Sequence, residues 1–364
     1  MKASLLLLFV FTAFGANGSV NYDLAPLDAP YSDHRPPQDD SQFNKSLGRS
    51  DVTANIGWQT PVRSQGYRGT CSIFSAIALL ESRMRIRYGL TADLDLSEQY
   101  LEYLSVRGRT TDGSNSWTNF NNIAQYGIPS EETLPYNIND WSKDTSLAKV
   151  RCGYLDREST NYKSCLVVQR DPQNLFRNDN ELLNQNSSLF DPDFVKARTE
   201  AAEFKNQYIR FQSYQYQMSN VSQIKQFLEA GYALTMGIPI YYGAWNHGAG
   251  KSEGIETNTE YWYQGLVGYP EPGSVDYQKS PKKAAGHSIV IVGYDDNLEV
   301  EVSVKMADGN MKTFRYKGVY FFKNSWGTTS FGKDFQIEGS PYPGYGMITQ
   351  KYAHQHGTFY HLPL

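Results

Sequence analysis

The chain has 364 residues, 40% of them hydrophobic and 14% aromatic, which is enough apolar side chain to bury a substantial core and excludes disordered and collagen-like classes. Lysine and arginine number 34 against 38 aspartates and glutamates, a net charge of −4, and no basic run is long enough to track a phosphate backbone, so no nucleic-acid partner is expected. Three cysteines, Cys71, Cys152 and Cys165, are an odd set for a disulfide framework.

Residues 1–18 read as an export signal: a charged start, Met1-Lys2-Ala3-Ser4, is followed by an apolar run from Leu5 to Phe14 that is too short to span a bilayer. Ala16 and Gly18 suit cleavage before Ser19, with Ala13 and Gly15 as an earlier alternative. No later apolar run is long enough to span a membrane, so a secreted or periplasmic protein without a stable membrane anchor is expected. Residues 19–52, rich in Pro, Asp and Ser, read as an extended leader or short prosegment.

A mainly helical unit is expected over 53–136. Ile73, Ile77, Leu80 and Met84 recur at helical spacing after Cys71, and Gly89 supplies a stop. Ser97 caps a second helix carrying Leu101 and Leu104, and Trp117, Phe120 and Ile123 mark a third before Gly127. Residues 137–213 turn polar, with clusters such as Asn178-Asp179-Asn180, and read as a loop-like inserted connection. Cys152 and Cys165 lie close together within it and are paired, which leaves Cys71 outside the disulfide. On composition alone Cys71 is a small buried hydrophobe.

A mainly β unit is expected over 214–364. Its first element is a helix over Val221 to Ala230, and Ala233 to Ile240 and Ser288 to Tyr294 are short β-rich runs. Val300, Val302 and Val304 then alternate with Glu301, Ser303 and Lys305 before Asp308-Gly309 turns the chain toward Phe314 and Tyr316.

A thiol becomes a competent nucleophile when its pKa is lowered, and a helix N-terminus or an adjacent imidazolium does this. Cys71 stands at a helix start behind a turn-rich loop, Pro61 to Thr70, that brings Gln65 near it. The Gln65 amide and the Cys71 backbone N–H are suitable donors for a carbonyl oxygen that gains charge during acyl transfer.

Gln65-Gly66-Tyr67-Arg68-Gly69-Thr70-Cys71-Ser72-Ile73-Phe74-Ser75 resembles the nucleophile segment of the papain family of cysteine peptidases. Gly286 to Tyr294 is similar to the family's histidine strand, and Phe322-Lys323-Asn324-Ser325-Trp326-Gly327 to its asparagine motif. Leu96-Ser97-Glu98-Gln99, Leu134-Pro135-Tyr136 and Gly344-Tyr345-Gly346 fall in the expected order. The resemblance implies an α+β, papain-like two-domain fold: a helical left domain, an antiparallel β-barrel-like right domain, and an active-site cleft between them. It implies Cys71 as nucleophile, His287 as general base and acid, Asn324 as the group orienting the imidazole, Gln65 in the oxyanion hole and Trp326 as a hydrophobic cover. Gly113 and Ser114 align with the family's peptide-binding edge, and Ser288 with a wall of its main side-chain pocket.

Taken singly, these residues have plainer readings: His287 a structural histidine, Asn324 and Gly113 turn residues, Trp326 a core aromatic. His247, beside Trp245 and Asn246, is a rival base. No metal or cofactor is expected, since His354-Gln355-His356 is an isolated pair. The expected partner of a monomer is a peptide or protein substrate, with a protein inhibitor or the protein's own leader as a further occupant of the cleft. A transpeptidase or ligase using the same triad, or a catalytically weak binding protein, are the alternatives.

The sequence also departs from the family pattern. Arg68 and Leu104 stand where relatives carry cysteines, so the usual disulfides of this half are missing and Cys152–Cys165 is expected to substitute. Ser72 and Ile73 replace a common Trp-Ala, and the leader is short. Asn44, Asn186 and Asn220 begin N-x-Ser sequons.

Overall fold

The structure is a computed structural model and describes residues 35–40, 47–211 and 216–364. The export-signal segment, residues 19–34 of the leader and Asn44 lie outside the described residues.

Local signals start and stop the first helices. Asp51 caps α1, Val52–Gly57, by accepting from the Ala54 N–H. α2, Cys71–Tyr88, ends where Gly89 takes a φ of +67°, a left-handed turn that closes its N–H onto the Arg85 carbonyl. Ser97 Oγ accepts from Tyr100 N to start α3, Glu98–Val106, and Asn115 does the same at Thr118 for α4, Ser116–Tyr126.

The polar stretch is largely helical rather than loop-like. It carries α5, Lys149–Cys152, α6, Thr160–Val168, α7, Asp179–Leu183, and α8, Pro192–Tyr208. Pro192 opens α8, where its missing N–H costs nothing. Only Phe194, Ala197 and Ala201 of α8 are buried, so a narrow apolar stripe anchors a helix whose composition is otherwise that of a solvated surface. Phe194 packs edge-on to Tyr103 of α3 at 4.7 Å, extending the helical core. The Cys152–Cys165 disulfide sits in a second, smaller core with Trp141, Ala148, Tyr162 and Leu166.

The remainder contains α9, Val221–Glu229, α10, Thr259–Tyr263, α11, Val275–Lys279, and α12, Gln350–His356. Its strands are β1, Gln217–Met218, β2, Leu234–Pro239, β3, Leu266–Val267, β4, Gly286–Lys305, β5, Met311–Lys323, β6, Gln336–Ile337, β7, Ser340–Pro341, β8, Tyr345–Thr349, and β9, Thr358–Tyr360. Seven form one sheet in the order β1-β9-β2-β4-β5-β8-β3, antiparallel except for the β3–β8 pair. Along outer β4, Val300 and Val302 are buried while Glu301 and Ser303 are exposed, as strand alternation requires.

The helical and sheet halves share a continuous apolar core, with Ile73 and Leu80 of α2 in the same cluster as Ile289 and Ile291 of β4. Two polar pins cross the junction: Ser75 Oγ lies 2.7 Å from Ser288 Oγ of β4, and Ser116 Oγ 2.8 Å from Thr235 Oγ1 of β2. The described leader residues run along α9, β9 and β4. Arg35 N donates to Thr358 Oγ1, Gln38 bridges to Asn220, and Ser50 N donates to the Tyr294 carbonyl. No helix among the described residues is long and apolar enough to cross a membrane.

Candidate active site

Cys71 is the first residue of α2, fully buried and outside the disulfide. Its thiol therefore sits at the positive end of an 18-residue helix. The loop before it turns at Gly66, whose φ is +61° and where a Cβ would come within 2.4 Å of Ile138 Cβ. Glycine is thus required on both conformational and steric grounds.

That turn delivers Gln65 into a tight set of bonds. Its N–H donates to the Ser325 carbonyl at 2.9 Å, its Oε1 accepts from Ser325 Oγ at 2.7 Å, and its Nε2 donates to the Arg68 carbonyl at 2.8 Å. These bonds hold the Gln65 side chain in place on the loop that leads to Cys71.

The sheet supplies the histidine. His287 is the second residue of β4, paired across to Ile238 of β2, and β4 meets β5 at Val290↔Lys323. Continuing that register past the end of β5 brings residues 324–326 alongside 287–289. Asn324 Oδ1 lies 2.8 Å from His287 Nε2 and also accepts from Ser325 N at 2.8 Å. Because the backbone N–H identifies that atom as the amide oxygen, His287 must donate from Nε2. The neutral ring then carries its lone pair on Nδ1, a buried atom with no hydrogen-bond partner among the described residues.

Aromatic rings seal this pair from water. Trp326 stacks on His287 at 4.3 Å and 21°, Trp245 meets it edge-on at 5.2 Å, and Trp262 stacks on Trp326 at 5.3 Å. Burial pushes the His287 pKa down to about 3 and so favours the neutral ring, only partly opposed by the hydrogen bond to Asn324.

The rival His247 is buried against Trp326 and Trp262, and its Nδ1 accepts from Ala249 N to cap a short helical turn. It is a structural histidine. Ser288 bonds Ser75, as above, while Ser114 Oγ lies 2.9 Å from Ser72 Oγ and 2.7 Å from Asn119 Oδ1. Both serines line a shallow depression with His287, Asn115 and Gly237. Gly113 does not line it, and its carbonyl accepts from Arg109. None of the described leader residues lines the depression. A roomier cavity of about 340 Å³, lined by Ile255, Tyr269, Val302 and Met311 among others, lies on outer β4 and contains no cysteine or histidine.

Arg68 was the least legible residue. It is only 1% exposed and donates to Gln99 Oε1 at 2.9 Å and to the carbonyls of Val167 at 2.8 Å and Asn137 at 3.3 Å, with Glu102 at 3.5 Å. At this position a buried guanidinium ties the loop to α3 and α6, whereas Cys152–Cys165 braces the separate small core. Trp245, Trp262 and Ser325 were also missed as parts of the site. Ser325 lies within the asparagine motif, which is the signal that pointed nearest to it.

A helix-start cysteine packed against a sheet bearing a His–Asn pair is the layout of an α+β cysteine-protease fold. Residues 49–263, more than half the chain, match the model of the papain family of cysteine proteases, and the chain belongs to that family. His287 and Asn324 lie beyond the matched residues. Papain of Carica papaya is 38% identical over 94 residues, 24% of this chain and 27% of papain. Cysteine proteinase 1 of Entamoeba histolytica is 36% identical over 91 residues, 23% of this chain and 28% of that protein. The chain thus aligns with about a quarter of the length of these curated relatives. Among solved structures, xylellain, a cysteine protease from Xylella fastidiosa, superposes with a TM-score of 0.52 at 14% identity, covering 93% of this chain and 97% of that one, a likeness of fold.

Proposed function

We propose that this protein hydrolyses peptide bonds through a thioester on Cys71. The observation that carries this reading is the buried His287–Asn324 pair, which leaves Nδ1 as the only ring nitrogen able to take a proton. In the first step Cys71 Sγ attacks the peptide carbonyl carbon and its proton passes to His287 Nδ1. The Gln65 amide and the Cys71 N–H bind the oxyanion. The C–N bond then breaks, and His287 returns the proton to the leaving amine. Water next attacks the thioester, losing a proton to His287, and the acid departs as the thiol is restored. Asn324 holds the ring through this exchange, and the stacked Trp326 keeps water from that hydrogen bond. Ser114 and Ser288 flank the substrate in the depression beside His287.

The protein acts after export directed by residues 1–18, and the Cys152–Cys165 disulfide supports an oxidising compartment. The test is labelling of the mature protein with an epoxide thiol inhibitor, with peptide cleavage assayed in wild type and Cys71→Ala. Stoichiometric labelling and cleavage, both lost in Cys71→Ala, are expected. A folded wild type that neither labels nor cleaves after removal of any leader overturns the reading.

A further inference from the structure

The two donors of the proposed oxyanion hole come from opposite ends of one loop, Gln65 at its start and the Cys71 N–H at its end. Something must hold those ends in register. Thr70 occupies the N-cap of α2, where a threonine ordinarily turns its hydroxyl onto an N–H of the first helical turn. Here the Thr70 side chain makes no capping bond. Its Oγ1 lies instead 2.7 Å from the hydroxyl of Tyr136, which donates to the Gln65 carbonyl at 3.0 Å. A carbonyl only accepts, so the Tyr136 proton goes to Gln65 and the Thr70 hydroxyl donates to the Tyr136 oxygen. The result is a directed chain, Thr70 to Tyr136 to Gln65, across the mouth of the loop.

The Tyr136 ring has little freedom to swing. It meets Phe74 of α2 edge-on at 4.8 Å and lies 5.0 Å from the Arg68 guanidinium. Arg68 is pinned in turn by Gln99 and the Val167 carbonyl, and its own carbonyl accepts from Gln65 Nε2. Burial pushes the Tyr136 hydroxyl above the ordinary tyrosine range, so it stays a donor at any working pH.

We propose that Tyr136 is a positioning residue for oxyanion stabilisation: without touching substrate, its hydroxyl sets the separation between the Gln65 amide and the Cys71 N–H. This rests on the peptidase reading of Cys71 and Gln65.

Tyr136→Phe removes the hydroxyl and keeps the ring. Three quantities separate positioning from packing: kcat and KM on a peptide substrate, the affinity for a peptide aldehyde, and the rate of Cys71 alkylation by iodoacetamide. The aldehyde's hemithioacetal places an oxygen in the hole, whereas alkylation at a saturated carbon develops no oxyanion. Complete loss of one oxyanion donor costs about 10²–10³ in kcat, and a displaced donor should cost less, about tenfold. Aldehyde affinity should fall in parallel, with KM and the alkylation rate held within about twofold. Thr70→Val breaks the chain from the other end, should give the same split, and carries the test alone if Tyr136→Phe does not fold. Unchanged kcat and aldehyde affinity overturn the proposal, as does a loss of alkylation that matches the loss of kcat. Failure of the underlying reading looks different, because the wild type itself would neither alkylate at Cys71 nor cleave peptide.

Discussion

The candidate site and the inserted stretch at 137–211 are built from opposite kinds of contact. Around the site, hydrogen bonds join Gln65 to Ser325, Ser75 to Ser288 and Lys323 to Thr60, separations of 260, 213 and 263 residues. The inserted stretch closes on itself, with Cys152 bonded to Cys165, Asn174 to Asp191 and Arg170 to Asp191 over 13, 17 and 21 residues. Distant partners meet only after large loops close, and local ones meet early and at small entropic cost. The site is therefore a product of the whole fold, whereas the insertion carries its own local braces and also docks on the helical half, where Gln99 Nε2 donates to the Val168 carbonyl and Tyr103 Oη to the Asp171 and Pro172 carbonyls. At the loop that precedes Cys71 the link is Arg68, whose guanidinium reaches the Asn137 and Val167 carbonyls.

Breaking that link has the largest expected effect. Arg68→Met removes the guanidinium that lies 3.5 Å from the buried Glu102 carboxylate, a change that costs about 3–5 kcal/mol. Denaturant unfolding should show the loss as a lower midpoint, and Arg68→Met combined with Glu102→Leu should recover most of it. A single variant within about 1 kcal/mol of wild type would show that the guanidinium is not a principal tie between the loop and the insertion.

Cutting the insertion's own staple should act locally. Replacing Cys152 and Cys165 by serine reopens a loop for which chain entropy predicts about 3 kcal/mol. Limited proteolysis should then nick the stretch between Trp141 and Leu166 faster while kcat is retained. A matching fall in kcat would contradict the separation of the two regions.

The same contrast explains what the sequence disclosed. Cys71, Gly89, Ser97 and Gly127 were legible because a cap or a stop is decided within one turn of helix, and His287 and Asn324 because short motifs carry them. Arg68 was not. A lone arginine in a turn-rich loop reads as surface, and the groups that bury it arrive from α3 and α6, outside any local window. α8 was missed for a different reason: three buried side chains in 17 residues leave a stripe too thin to stand out from polar composition. Trp326 was legible within the asparagine motif, but the rest of the wall was hidden because Trp245 and Trp262 lie far from it along the chain and meet it only once the sheet has formed.

The smallest expected effect concerns pH, and it separates the regions again, because the site contains a buried histidine and the inserted stretch contains no histidine. Burial lowers the His287 pKa from 6.5 to about 3. As pH falls below 6.5 the unfolded chain takes up a proton at this position and the native chain does not, so stability is full above that pH and drains away toward about pH 3. The slope is roughly 1.4 kcal/mol per pH unit, or on the order of 2–3 kcal/mol between pH 6.5 and 4.5. His287→Gln deletes the titration and keeps an amide able to bond Asn324. His354 and His361, also lowered by burial, are common to both proteins and cancel in the comparison. The difference in Tm between wild type and His287→Gln should therefore shift steadily in the variant's favour on acidification, while the Cys152→Ser, Cys165→Ser protein should track wild type at a constant offset. Parallel curves for wild type and His287→Gln would mean that the native ring takes up its proton as readily as the unfolded one. The imidazole would then be wet, contrary to its cover of stacked tryptophans.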